Sequence, residues 1–141
     1  MKITISMNEV LERLYAITAL HGYVNDTGGG YVANILTPAQ APALRVTVRA
    51  AHNAAMSYLA FSGWRSDPDG GELAAVAPDT LVTDGPTATA VLSEAVTFLT
   101  LYIIYSTGAD DRAGHVHEQA VASLRHLESE RWHAARMTAH S

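Results

Sequence analysis

PTATAVLSEAVTFLTLYIIYS, residues 86–106, is the stretch that decides the fold. Ala88, Val91, Leu92, Ala95, Val96, Leu99, Tyr102 and Ile103 recur at helical spacing on one face. Phe98, Leu101, Ile104 and Tyr105 then make the C-terminal half apolar all round, and Glu94 is the only charge. A helix of that kind must be surrounded on most sides, by its own domain or by another subunit. Asp84-Gly85-Pro86 supplies a cap and a first-turn proline, and Ser106-Thr107-Gly108 supplies the stop. The uncharged run from Ala95 to Ala109 is about fifteen residues long, short of the roughly twenty apolar residues that a bilayer span needs. A buried core helix is expected, with no membrane partner.

The flanking segments provide helices to cover it. Ser6-Met7-Asn8-Glu9 has the S-x-x-E form of a capping box, with Ile5 and Val10 placed for a hydrophobic staple. Val10, Leu14 and Ile17 carry the stripe of a helix expected over 7–21, ending near His21-Gly22. Asn25 to Gly30 reads as a glycine-rich loop. Thr37-Pro38-Ala39-Gln40 is a second start signal, but Pro42 would clash within the first turn, so the regular helix is expected over 42–61. Leu44, Val48, Ala51, Ala55 and Leu59 give that helix a small-residue face. Ser66 to Gly71 is a turn, and residues 72–84 form an irregular connection with a short strand. Asp110 and Asp111 precede a helix expected over 111–136, with a stripe of Val116, Ala120, Leu124 and Leu127. The expected architecture is all-α: four helices, a short extended N-terminal arm and two long loops rich in Gly, Asp and Pro. The chain reads as a single helical domain over 1–141, with 125–141 projecting towards a partner.

Composition narrows the function. The chain has 141 residues, 48% hydrophobic and only 16% charged, against a usual charged share of about a quarter. Such a shortage suggests surface reserved for a partner. The net charge of −5 gives no cationic footprint for nucleic acid, and the absence of Cys excludes disulfides and thiolate metal sites. The N-terminus lacks the apolar core of a secretory signal.

Five of the seven His fall in the last 27 positions. His126, His133 and His140 share a helix face, but each step spans about 10.5 Å, too far for one ion to bridge. Glu130 and His133 have the Glu-x-x-His spacing of di-iron bundles, yet no second such pair accompanies them. His115 and His117 read as surface residues. No Ser lies in a G-x-S-x-G elbow, and Gly28-Gly29-Gly30 lacks the Lys of a phosphate loop. Glu94 is expected at a polar edge of its helix beside Thr87, Ser93 and Thr97. No catalytic, cofactor or metal residues are therefore assigned, and the protein is expected not to be an enzyme.

Ala50-Ala51-His52-Asn53-Ala54-Ala55-Met56-Ser57-Tyr58-Leu59, a Gly/Asp/Pro-rich connection, and Ala90 to Tyr105 containing Phe98-Leu99-Thr100-Leu101-Tyr102 form a recognisable order. It resembles the small all-helical head–tail connector, or adaptor, proteins of tailed bacteriophages. Val10 to Phe61 is also similar to small prophage proteins of gut Bacteroidetes, through Thr18, Gly22, Asp26 to Gly30, Tyr31 and Thr37. The likeness covers about residues 3–106; the His-rich C-terminal helix departs from it. The resemblance implies a virion structural protein, made in the bacterial cytoplasm, that forms a homo-oligomeric ring at the neck and docks to portal or tail components. Phe98, Leu101, Ile104, Tyr105, Arg131 and Trp132 are the expected interface residues. Two other classes fit the composition: a four-helix-bundle metal protein or enzyme using helix-four histidines with His21 or His52, and a regulatory interaction module.

Overall fold

A computed structural model describes residues 1–27, 35–81 and 83–128, with the side chains of 21–27 left aside. The elements in chain order are β1 (Lys2–Thr4), α1 (Met7–Thr27), α2 (Ala41–Leu59), β2 (Arg65–Ser66), β3 (Ala74–Val76), α3 (Gly85–Thr107) and α4 (Ala113–Arg125). The fold is mostly helical. One core joins β1 to all four helices, from Ile3 and Leu14 through Val48 and Leu92 to Leu124. Helix α3 is its axis and packs most extensively on α4, then on α2 and α1.

Helix α3 begins where Asp84 accepts a hydrogen bond from the Thr87 N–H at 3.0 Å. Its threonines satisfy their hydroxyls inside the helix: Thr97 donates to the Ser93 carbonyl and Thr100 to the Val96 carbonyl, both at 2.8 Å. Both side chains can therefore be buried without further partners. By length and composition α3 is the only helix among the described residues apolar enough to cross a membrane. Here its buried side, including Leu92, Val96, Leu101 and Tyr105, faces the chain's own core.

Several boundaries differ from those read in the sequence. The N-terminal arm is a strand: β1 pairs antiparallel with β3, and β2 pairs with the other edge of β3, giving the order β1-β3-β2. Three residues of alternating pattern in the arm were enough because β3 offers them a partner, with Ile3 buried against the core. The turn between β2 and β3 needs a glycine at 70, where an added Cβ would stand 2.7 Å from the Ala74 Cβ.

Helix α1 continues to Thr27, through Gly22 and past the expected end at 21. One glycine costs a helix only about 1 kcal/mol, which does not force a stop. Thr18 on α1 donates to the Leu14 carbonyl and accepts from the Leu36 N–H at 3.0 Å, anchoring the chain that leads into α2. At Pro38–Gln40 a single 3-10 turn absorbs the conflict between two prolines, and Gln40 accepts from the Thr37 N–H at 2.9 Å. Helix α2 ends in a second 3-10 turn at Ala60–Ser62 and a left-handed Gly63.

Helix α4 stops at Arg125, eleven residues before the expected 136, and starts at Ala113 rather than 111. After Arg125 the N–H groups of His126, Leu127 and Glu128 bond three residues back, a tightened final turn. The Leu127 carbonyl left over accepts the buried Trp64 indole N–H at 2.8 Å. The chain from 129 onward, which includes most of the segment expected to project, lies outside the described residues.

The α3–α4 turn is a Schellman motif. Asp110 N–H bonds the Tyr105 carbonyl at 2.8 Å and Ala109 N–H bonds the Ser106 carbonyl at 3.2 Å. The left-handed position falls on Ala109, at φ 52°, one residue after the glycine that the sequence offers as the stop. Arg112 closes the turn with two hydrogen bonds to Asp110, at 3.0 and 2.6 Å, and its guanidinium lies 4.7 Å from the centre of the Tyr105 ring. Replacing Ala109 with Gly should relieve the left-handed strain and stabilise the fold by about 0.5–1 kcal/mol, raising the melting temperature by about 2–4 °C. A thermal melt followed by circular dichroism checks this; an unchanged or lower midpoint contradicts it.

Candidate functional site

An apolar groove of about 270 Å³ opens between α2, α3 and α4. Leu99, Tyr102 and Ile103 of α3 form its floor and one wall. Ala54 and Tyr58 of α2 line the second side, and His117, Val121 and Leu124 of α4 line the third. The single methyl of Ala54 on α2 faces the long side chains of α3 there, and the three helices meet without filling the space between them. The rim is held in place. Tyr58 donates its hydroxyl to the Glu128 carboxylate at 3.0 Å, and the His117 ring lies 4.6 Å from Tyr102, tilted by 48°. Burial, and then the hydrogen bond to Glu128, push the Tyr58 phenol above its ordinary value, so it stays a donor across the physiological range.

Three aromatic side chains are exposed around this groove and the end of α2. Tyr58 and Tyr102 are each 36% exposed, while Phe61, one turn beyond Tyr58, is 83% exposed. A phenyl ring so uncovered is unusual for a side chain of this hydrophobicity.

The expected interface residues divide. Phe98 and Ile104 are half-buried, and Phe98 lines a second cleft of about 310 Å³ with Arg13, Ile17, Glu94 and Thr97. Leu101 and Tyr105 are fully buried inside the chain's own core, which corrects their assignment: α4 and the Arg112 turn already cover that side of α3. Arg131 and Trp132 lie outside the described residues, as do Glu130, His133 and His140. Glu94 is exposed as expected, but its neighbours Ser93 and Thr97 are buried and only Thr87 shares its exposure. His115, His117 and His126 are exposed. Among the described residues no three side chains of metal-binding type come together.

Phe61 and the groove were missed in the sequence. The signal was present: Phe61 lies about 200° around a helix from Leu59, off the buried stripe. The groove itself depends on how three helices approach, which no local pattern carries. In comparison with known proteins, no family, curated sequence or solved structure matches this chain.

His52 is the other notable polar group. It sits on the buried face of α2, 2% exposed, and its Nε2 has no hydrogen-bond partner. Burial lowers its pKa from the ordinary value of 6.5. An unfolded chain therefore takes up a proton near pH 6.5 that the folded chain resists, so His52 makes the fold less stable as the pH falls below that value. Denaturant midpoints measured from pH 7.5 down to 5 should fall more steeply for the wild type than for His52→Phe. Parallel pH profiles for the two proteins contradict this.

Proposed function

We propose that this protein is a non-catalytic structural subunit that assembles with copies of itself and docks onto neighbouring proteins. The observation that carries this reading is an apolar groove rimmed by Tyr58 and Tyr102, together with the exposed Phe61 just beyond the end of α2. Side chains of that type dominate protein–protein contacts, because each buries a large area at little conformational cost. Polar chemistry is scarce at the groove: the Tyr58 hydroxyl donates to Glu128, and the His117 ring packs against the ring of Tyr102. A site of that kind binds apolar surface and gives a reacting substrate few charges to work with.

The assembly we propose is the one that the sequence resemblance implies, a ring at the neck of a tailed bacteriophage, between portal and tail. Its setting would be the virion, and the bacterial cytoplasm during assembly. The low charged fraction of 16% and the net charge of −5 support a subunit held by apolar contacts to protein, with nucleic acid no part of its binding. Native mass spectrometry and negative-stain microscopy between roughly 1 and 100 µM test the proposal. Closed rings of one subunit type, growing in population with concentration, are expected. A protein that stays monomeric over the whole range contradicts it.

A further inference from the structure

We propose that the chain beyond α4 folds back and seats Trp132 in the α2–α3–α4 groove of its own subunit. The contact lies within one chain and stands apart from whether copies associate.

The point at which the chain leaves α4 selects this occupant. His117, Val121 and Leu124 line the groove at helical spacing, and Glu128 follows one turn on, where its carboxylate accepts the Tyr58 hydroxyl at 3.0 Å. One residue earlier the Leu127 carbonyl is held by the Trp64 indole at 2.8 Å. The chain therefore sets out from a fixed point on the groove's rim, after a tightened turn over 126–128 that ends the helix. Residues 129–141 lie outside the described residues, and Trp132 is their largest apolar side chain. Four residues of extended chain reach about 13–14 Å. The α4 wall from His117 to Leu124 is about 10.5 Å long, so the whole groove is within reach of Trp132.

Size and area agree with a tethered occupant. A cavity of about 150 Å³ holds benzene, and the groove, at about 270 Å³, has room for the larger indole. Its open mouth leaves the indole N–H in water, while Leu99, Ile103, Val121 and Leu124 cover the apolar rings. One aromatic side chain and the walls around it remove on the order of 300–400 Å² from water, far below the roughly 1,200 Å² that holds two separate molecules together. Within one chain that shortfall disappears, because a short tether supplies an effective concentration of about millimolar, for which a single weak contact suffices. Phe61, beyond the end of α2, and the outer edges of Tyr58 and Tyr102 remain free for a partner.

The test is NMR on the full-length protein with carbon-13 in its Leu, Ile and Val methyl groups. Cross-peaks from the Trp132 ring to the methyls of Ile103, Val121 and Leu124 are expected, with intensities that hold on dilution. Trp132→Ala should erase them and shift those methyl resonances, while the Val46 methyls, exposed on α2 away from the groove, keep theirs. Trp132→Phe should restore part of the shift, and circular dichroism should show both variants as helical as the wild type. Groove methyls that stay in place in Trp132→Ala overturn the proposal. So do cross-peaks that fade on dilution, which would assign the groove to Trp132 of a second copy. Neither result touches the structural-subunit reading, which is decided by the mass of the assembled species.

Discussion

Burial of helix α3 is the constraint on which the rest of the structure depends. Its 23 residues include a single charge, Glu94, and the buried hydroxyls of Thr97 and Thr100 turn back onto their own helix, so most of its sides favour leaving water. Helices α1, α2 and α4 and strand β1 each place their buried stripe against it. The other features follow as ways of holding those elements there. Thr18 ties the approach to α2 onto α1, the Schellman turn and the Asp110–Arg112 pair reverse the chain into α4, and Trp64 captures the Leu127 carbonyl just beyond α4.

The covering is incomplete, and the incompleteness is specific. A helix that is apolar on all sides needs cover on all of them. The α2 face is rich in alanine: Ala51 and Ala55 are fully buried in the core, while Ala54 lines an open space opposite Tyr102 and Ile103. The result is a groove in place of a packed contact. The Tyr58–Glu128 bond and the Tyr102–His117 contact hold its mouth without filling it. The groove and the exposed Phe61 are both apolar surface left uncovered among the described residues.

Most of the helical plan was legible because it is written in local patterns. The cap at Asp84, the S-x-x-E start at Ser6, the stripe of α2 and the break at Gly63 depend only on residues within a turn or two of each other. What escaped depends on distant partners. The arm at Lys2–Thr4 becomes a strand only because β3, more than seventy residues on, presents a free edge. Helix α4 ends at Arg125 where Trp64 and Tyr58 meet its last turn, though the apolar pattern alone continues. Likewise Leu101 and Tyr105 looked available for a partner because α3 is apolar there, and only the packing of α4 shows which of its sides the chain keeps for itself. The glycine at 108 marked the end of α3 correctly, while the left-handed residue fell one position later, at Ala109.

The central claim is that the uncovered part of α3 and the exposed Phe61 are closed by association. Hydroxyl-radical footprinting read by mass spectrometry, from dilute to concentrated protein, addresses it residue by residue. The account predicts that Phe61 and Tyr102 lose reactivity as the concentration rises while Val46, exposed on α2 away from the groove, keeps its own. Reactivity at Phe61 and Tyr102 that stays constant, or that falls in step with Val46, would contradict it.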